Sequence, residues 1–389
     1  MREIAVVTVA RSDYGIYFPI LKKIEAHPDL RLRVIASGMH LSPEFGMTVE
    51  LVERDFEVFE RVESLHYSDK PEGVGKTIAA GVLGFTQLFS RYRPDILLVL
   101  GDRFDIFPAP VAALPFKIPV AHLHGGELTE GNIDDAIRHM ITKLAHIHFV
   151  SVNVYAKRLR QLGEEPWRIH WVGAPGLDSI QSAQLWDRQE TGLKLGFDAS
   201  NPYLLVTSHP ETLQYERTGY FIEQLLDALD QTKYPVVFTL PNADTSGAII
   251  IEAIKKYTAC HDNAWTIDNA GRIGYPSLMS HALAMVGNSS SGIIEAAHFA
   301  LPVVNIGNRQ TGRVKPENIV DCGFSSDEIV RAINRVVSQG FRVSVNGMKN
   351  PYGDGKSSPR IVDILASVEL NDRLISKKFF DVKFDDAKL

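Results

Sequence analysis

Cysteine is nearly absent: the 389 residues hold only Cys260 and Cys322, and neither belongs to a CxxC pair. Two isolated thiols neither staple a secreted domain nor complete a structural zinc site, so the reducing cytoplasm is the expected compartment. No apolar stretch reaches the ~18 residues a membrane helix needs. The apolar opening of MREIAVVTVA is cut short by Arg11, Ser12 and Asp13, too soon for a signal segment, so no membrane association is expected. An excess of basic charge is missing too. With 41 Lys and Arg against 47 Asp and Glu, the net charge is −6, which argues against a nucleic-acid partner. No GxGxxG occurs, so no nicotinamide cofactor is expected. His122 and His124 alternate on one run without assembling a ligand set, so no metal is expected either. The nearest phosphate-loop candidate, Gly73-Val74-Gly75-Lys76-Thr77, lacks the first glycine of GxxxxGK[ST], which would fall at Lys70.

What is present is an ordinary globular composition, 45% hydrophobic and 23% charged, which excludes a disordered or collagen-like chain. Short apolar runs alternate with helical patterns. Ile4–Val9, Leu32–Ala36, Ile96–Leu100, Val120–Leu123, Ile147–Val150 and Ile169–Val172 read as strands covered on both faces. Ile16, Ile20, Leu21 and Ile24, and later Ile137, Ile141 and Leu144, recur at helical spacing between them. After a polar stretch at about Ser182–Asn201 the pattern restarts with Tyr203–Thr207, Val236–Leu240, Leu283–Val286 and Val303–Ile306. The expectation is an α/β chain of two Rossmann-like domains with a cleft between them. The first spans 1–180, the second 181–365, and 366–389 forms a tail beyond a last helix at Ile361–Val368.

Parallel sheets bind ligands at the carboxyl ends of their strands. Polar residues collect just there. Arg11 follows the first run, where Ser12 or Asp13 also suits a helix cap. Asp102 and Arg103 follow Ile96–Leu100, as an acid and an anion ligand or as a self-satisfied ion pair. His124-Gly125-Gly126-Glu127 follows Val120–Leu123. Asp134 and Asp135 open a helix, where its dipole alone would favour them. Still, Asp102, Glu127, Asp134 and Asp135 on one sheet edge exceed what capping requires, and clustered acids serve acid/base chemistry. The second half offers Ser208-His209-Pro210-Glu211, Pro241-Asn242-Ala243-Asp244 and Gly287-Asn288-Ser289-Ser290-Ser291-Gly292, then Glu295, Arg309 and Arg313. Serine hydroxyls and free N–H groups opening a helix make a phosphate site. A nucleoside diphosphate fits there, with Glu295 on a ribose hydroxyl and the arginines as counter-charge.

Taken together, TVARSDYGIY, VLGDRFDIF, HLHGGELTEGNIDDAIRHMITKLAH, SHPET, PNAD, GNSSSGIIE and NIGNRQTGR resemble the hydrolysing UDP-N-acetylglucosamine 2-epimerases of sialic- and legionaminic-acid pathways. The resemblance spans Ile4 to Arg313, with YGDG at Tyr352–Gly355 beyond. It implies a glycosyltransferase-B-type fold, a UDP-sugar substrate, no cofactor and a homodimer or homotetramer. It also implies anti elimination of UDP to a glycal, followed by hydration to the 2-epimer. Asp102, Glu127 and Asp134 match the family's catalytic carboxylates, and His209 the histidine that assists departure of the diphosphate. Arg11, Asn242, Ser289, Ser290, Glu295 and Arg309 match UDP-binding positions. Arg103 and Arg313, which we group with the nucleotide ligands, lie inside the motifs, as do Asp135 and Arg138. The resemblance does not separate the roles of these four. Ala10-Arg11-Ser12-Asp13-Tyr14 replaces the GTRPE of non-hydrolysing relatives, and Gly15 stands where the animal enzyme has a UDP-contacting serine. UDP-N-acetylglucosamine is the expected substrate and UDP-N,N′-diacetylbacillosamine the alternative, with a glycosyltransferase of the same fold more remote.

Overall fold

The computed structural model describes residues 1–66, 68, 70–130, 132–241 and 246–383. Among these, thirteen strands form two parallel sheets. The first contains β1 (Arg2–Thr8), β2 (Leu30–Ser37), β3 (Val58–Val62), β4 (Ile96–Leu100), β5 (Val120–Leu123), β6 (Ile147–Val150) and β7 (Ile169–Trp171), in the order β3-β2-β1-β4-β5-β6-β7. The second contains β8 (Leu204–Thr207), β9 (Val236–Thr239), β10 (Ala264–Ile267), β11 (Ala284–Gly287), β12 (Val303–Ile306) and β13 (Ile319–Cys322), in the order β10-β9-β8-β11-β12-β13. Each is doubly wound, and its strand order reverses at the first strand of the half: between β1 and β4, and between β8 and β11. Every central strand buries both faces, which is why those runs read as unbroken apolar stretches.

Three strands escape the sequence reading: β3 (VFERV), β10 (AWTI) and β13 (IVDC). All are edge strands, paired on one side only. A half-covered strand keeps polar residues and loses the apolar signature. The polar stretch Ser182–Asn201 holds a short helix, Arg188–Leu195. Asp187 Oδ1 caps it by accepting from Glu190 N at 2.8 Å, while Glu190 accepts from Asp187 N. The phosphate-loop lookalike at Gly73–Thr77 lies inside helix Pro71–Arg91 and cradles nothing.

The chain's end does not stay with the second sheet. Helix Ser357–Ser367 buries Ile361, Val362 and Leu365 against Ile4, Tyr17, Ile20 and Leu21 of the first half. Each such side chain contributes about 1.5–3 kcal/mol. Asp178 starts that helix by accepting from Ser357 N and Ser358 N, at 2.9 and 2.6 Å. The first core therefore takes back a segment that adjacency in sequence assigned to the second. The tail follows it: Arg168 donates to Leu374 O and Arg373 O, and Lys377 pairs with Glu164 at 2.7 Å. None of the helices among the described residues is long and apolar enough to cross a membrane.

Candidate active site

Both switch points carry the polar residues singled out above. Arg11 opens helix Arg11–Glu25 beside β1 and is exposed. Asp102 follows β4 on a turn that His122 of β5 holds through a 2.7 Å hydrogen bond to Gly101 O. Burial pushes His122 down to about 3, so it stays a neutral donor to that carbonyl. Asp102 accepts from Arg138 and, at 3.4 Å, from Thr129 Oγ1. The Arg138 side chain is buried. It donates to Thr129 Oγ1 at 2.8 Å and to His124 O at 3.0 Å, which ties the strand ends of β4 and β5 to helix Asp134–Leu144.

Arg103 forks onto buried Asp105, with Nε–Oδ1 at 3.0 Å and Nη2–Oδ2 at 3.1 Å. Beneath it Asp13 accepts from Val9 N, Ala10 N and Thr8 Oγ1. Burial, partly offset by those donors, pushes Asp13 up to about 6.

After β5 the chain turns sharply. Gly126 takes φ +79°, and a Cβ there would stand 2.7 Å from Tyr155 O, so only glycine fits. That turn folds Glu127 under the rim, where it is 1% exposed. Its Oε1 accepts from Ser151 Oγ at 2.7 Å and lies 2.7 Å from His124 Nδ1. Its Oε2 faces Arg313 Nη2 at 3.3 Å and Arg138 Nη1 at 3.8 Å. Burial alone would raise this carboxyl. Arg313, then His124 and Arg138, outweigh burial and hold it well below the usual carboxylate range. Arg313, expected as a nucleotide ligand, thus reaches from the second half to Glu127, and it also donates to Leu128 O at 3.1 Å.

Asp134 and Asp135 diverge. Asp135 Oδ1 accepts from Thr129 N at 2.8 Å, whereas Asp134 Oδ2 accepts from Asn132 Nδ2 at 3.1 Å. Ile133, which precedes the helix, has no capping side chain, and its N–H donates across the cleft to Thr212 Oγ1 at 3.0 Å. Thr212 N in turn donates to Asn132 Oδ1 at 3.1 Å. The second half thereby caps the helix that carries Asp134.

In the second half, Asn288 organises the rim. Its Oδ1 accepts from His209 N at 2.7 Å and its Nδ2 donates to His209 O at 2.8 Å, while its own carbonyl accepts from Gln310 Nε2 and Arg309 Nη1. Gly287 before it takes φ +136°, and a Cβ there would lie 2.0 Å from Thr207 O, so the two strand ends meet only at glycine. Burial, then Arg309 and Arg103, keep the His209 imidazole far below its ordinary range, so it is neutral at neutral pH. Arg103 comes from the first half and Arg309 from the second, which places His209 where the halves face each other. Ser289 caps helix Ser290–Ile294, leaving Ser289 and Ser290 partly exposed. Burial pushes Glu295 up to about 7, with His124 across the cleft pulling the other way. Asn242 lies outside the described residues.

The structure thus gathers Asp102, Glu127, Arg138 and Arg313 into one network and joins His209 and Arg309 through Asn288, with Ser289 and Ser290 following Asn288 at the start of the next helix. Ser151, Thr129, Asn132 and Thr212 also hold these rims together; the last three lie inside the motifs quoted above without a role of their own, and Ser151 lies outside them. Ser151 directly follows β6, so the strand-end rule would have found it. The threonines carry no signal before the chain closes on itself.

A family model described as UDP-N-acetylglucosamine 2-epimerase matches residues 22–366. The GDP/UDP-N,N'-diacetylbacillosamine 2-epimerase (hydrolyzing) of Campylobacter jejuni is 36% identical over 98% of this chain and 99% of its own. The UDP-N,N'-diacetylbacillosamine 2-epimerase (hydrolyzing) of Legionella pneumophila is 35% identical over 97% and 99%. Among solved structures, the UDP-GlcNAc 2-epimerase of Neisseria meningitidis bound to UDP-GlcNAc superposes with a TM-score of 0.78. It covers 94% of this chain and 99% of that one at 18% identity, a likeness of fold. Two doubly wound halves meeting at a polar cleft are the glycosyltransferase-B-type arrangement, and the chain belongs to the UDP-N-acetylglucosamine 2-epimerase family.

Proposed function

We propose that this protein is a hydrolysing UDP-sugar 2-epimerase. It would expel UDP by anti elimination and hydrate the resulting glycal to the free 2-epimer. The observation that carries this reading is the division of the cleft. A charged rim built on Asp102, His124 and Glu127 faces a hydrogen-bonding rim built on His209, Asn288, Ser289 and Arg309. The C2 hydrogen of a 2-acetamido sugar is not beside a carbonyl. Its removal needs C1–O cleavage well advanced, hence a positioned base on one side and preorganised donors for the leaving diphosphate on the other. In this reading Asp102 and Asp134 take part in proton transfer. Ser289, Ser290, Arg309, Arg11 and neutral His209 receive the diphosphate, and Glu295 meets the ribose. Arg103 and Arg313 hold the site together instead of binding nucleotide.

For the sugar, the two relatives above favour the donor with an acetamido group at C4, UDP-N,N′-diacetylbacillosamine, over the UDP-N-acetylglucosamine expected from sequence. Proton NMR in heavy water with each donor, without added metal, decides both points. Free UDP with a C2-deuterated 2-epimer, formed faster from the diacetylated donor, is expected. Intact UDP-sugar with C2 exchange would overturn the hydrolysing assignment, and faster turnover of UDP-N-acetylglucosamine would restore the simpler substrate.

A further inference from the structure

Glu127 is too well satisfied to move a proton. Each of its oxygens is engaged, one by Ser151 and His124 and the other by two guanidinium groups, and protonation would leave Arg313 buried without its counter-charge and Arg138 with Asp102 alone. What Glu127 does hold is His124. That histidine sits at φ +64°, a left-handed backbone that is strained for a non-glycine residue. The fold enforces it from both ends: His124 N donates to Phe149 O at 3.0 Å and His124 O accepts from Arg138 Nη1 at 3.0 Å. Such strain is sustained where a side chain must be aimed. The ring is 7% exposed. Its Nδ1 is tied to Glu127, and its Nε2 is buried with no hydrogen-bond partner among the described residues. A carboxylate on Nδ1 fixes the tautomer with the proton there, so the Nε2 lone pair is left unpartnered on a residue close enough to Glu295 of the second half to act on its charge.

We propose that His124 is the catalytic base of this rim and that Glu127 is a positioning residue acting through it. The inference rests on the epimerase reading above. In the elimination, Nε2 takes the C2 proton. The C2–H pair becomes the C1=C2 double bond, and the C1–O pair leaves with UDP. Glu127 steadies the imidazolium so formed, as a buried carboxylate does for a neighbouring imidazole. On hydration the water oxygen bonds to C1, and the proton it sheds passes by way of the other carboxylates to C2 on the opposite face. His124 returns its proton to UDP or solvent, so the ring ends neutral.

The test uses the full chain and substitutions the backbone tolerates, since Asn and Gly both accept φ near +60°. Wild type is assayed first with both donors, and turnover of neither defeats the functional reading itself. With turnover, His124→Asn is expected to lower kcat at least about 100-fold, with UDP affinity by calorimetry unchanged within about threefold. Imidazole should restore His124→Gly, and formate should fail to restore Glu127→Ala. Independently of turnover, ¹⁵N NMR of the ring should show the proton on Nδ1 in wild type and its redistribution in Glu127→Gln. The proposal is overturned if His124→Asn keeps turnover within threefold, if formate restores Glu127→Ala, if the glycal accumulates in His124→Asn, or if wild type carries the ring proton on Nε2.

Discussion

The two halves share one strand order yet solve their rims in opposite ways. The first half buries charge: Asp102 with Arg138, Asp105 with Arg103, and Glu127 with Arg138 and Arg313. The second sets mostly neutral groups at the corresponding strand ends, the Asn288 amide, serine hydroxyls and carbonyls, beside the cation Arg309 that donates to Asn288 O. Buried ion pairs hold their members in sharp directions, which positions the groups that transfer protons. Neutral donors accept a multiply charged leaving group without first giving up a counter-ion of their own. One fold used twice thus supplies two kinds of chemistry through what is loaded at its switch points.

The comparison breaks most sharply at Asp102. Asp102→Asn keeps the shape but removes the charge that Arg138 answers. Turnover should fall about 10²–10⁴-fold, as for loss of an acid/base group, while UDP affinity by calorimetry stays near wild type. An equal loss in both would mean that the charged rim also binds nucleotide. A smaller effect, of the opposite kind, is expected from Asn288→Ala. Deleting the amide frees His209 N and His209 O, a penalty of about 1–3 kcal/mol that weakens UDP roughly 5- to 150-fold. Deuterium exchange at C2 under saturating substrate should change far less.

The smallest change should come from mild acid, read in exchange protection. Burial lowers His40, His146 and His148 to about 4 and His122 to about 3, all in the first half. Their unfolded forms take up protons near 6.5, so between pH 6.5 and about 4 the unfolded first half binds more protons and its stability falls as pH falls. Glu164 sits against Lys143, His148 and Lys377. Burial alone would raise it, but these partners hold it at about 2, and its contribution fades from about pH 4.5 down through 2. Asp13, raised to about 6 by burial, opposes this in part. In the second half His209, also lowered by burial, acts in the same direction, but burial raises Glu295 to about 7, which has the reverse sign and offsets it. Hydrogen exchange followed by mass spectrometry from pH 7 to 4 should therefore show the first sheet losing protection before the second. Equal loss would remove the electrostatic distinction between the halves.

Much of this was legible beforehand. Ile96–Leu100, Val120–Leu123, Ile147–Val150 and Val303–Ile306 match their strands end for end, because full burial writes an unbroken apolar run. The strand-end rule put Asp102, Glu127, His209 and Ser289 at the cleft, because a parallel sheet has a single rim where loops converge. Roles were harder to read. Arg313 looked like a phosphate ligand and lies on Glu127, 186 positions earlier in the chain. In sequence His124 reads only as half of an incomplete metal-ligand pair, and in the fold its Nδ1 lies 2.7 Å from Glu127 Oε1.

The sequence by itself determined the alternation of elements, the central strands and the kinds of group at each strand end, since hydrophobic burial leaves a local and periodic mark. The tertiary structure decided the edge strands, the return of helix Ser357–Ser367 to the first core, and which cation answers which buried carboxylate. Those depend on groups far apart in the chain losing water together. A buried charge or amide is settled by whatever closure brings to it, and no spacing along the chain records that choice.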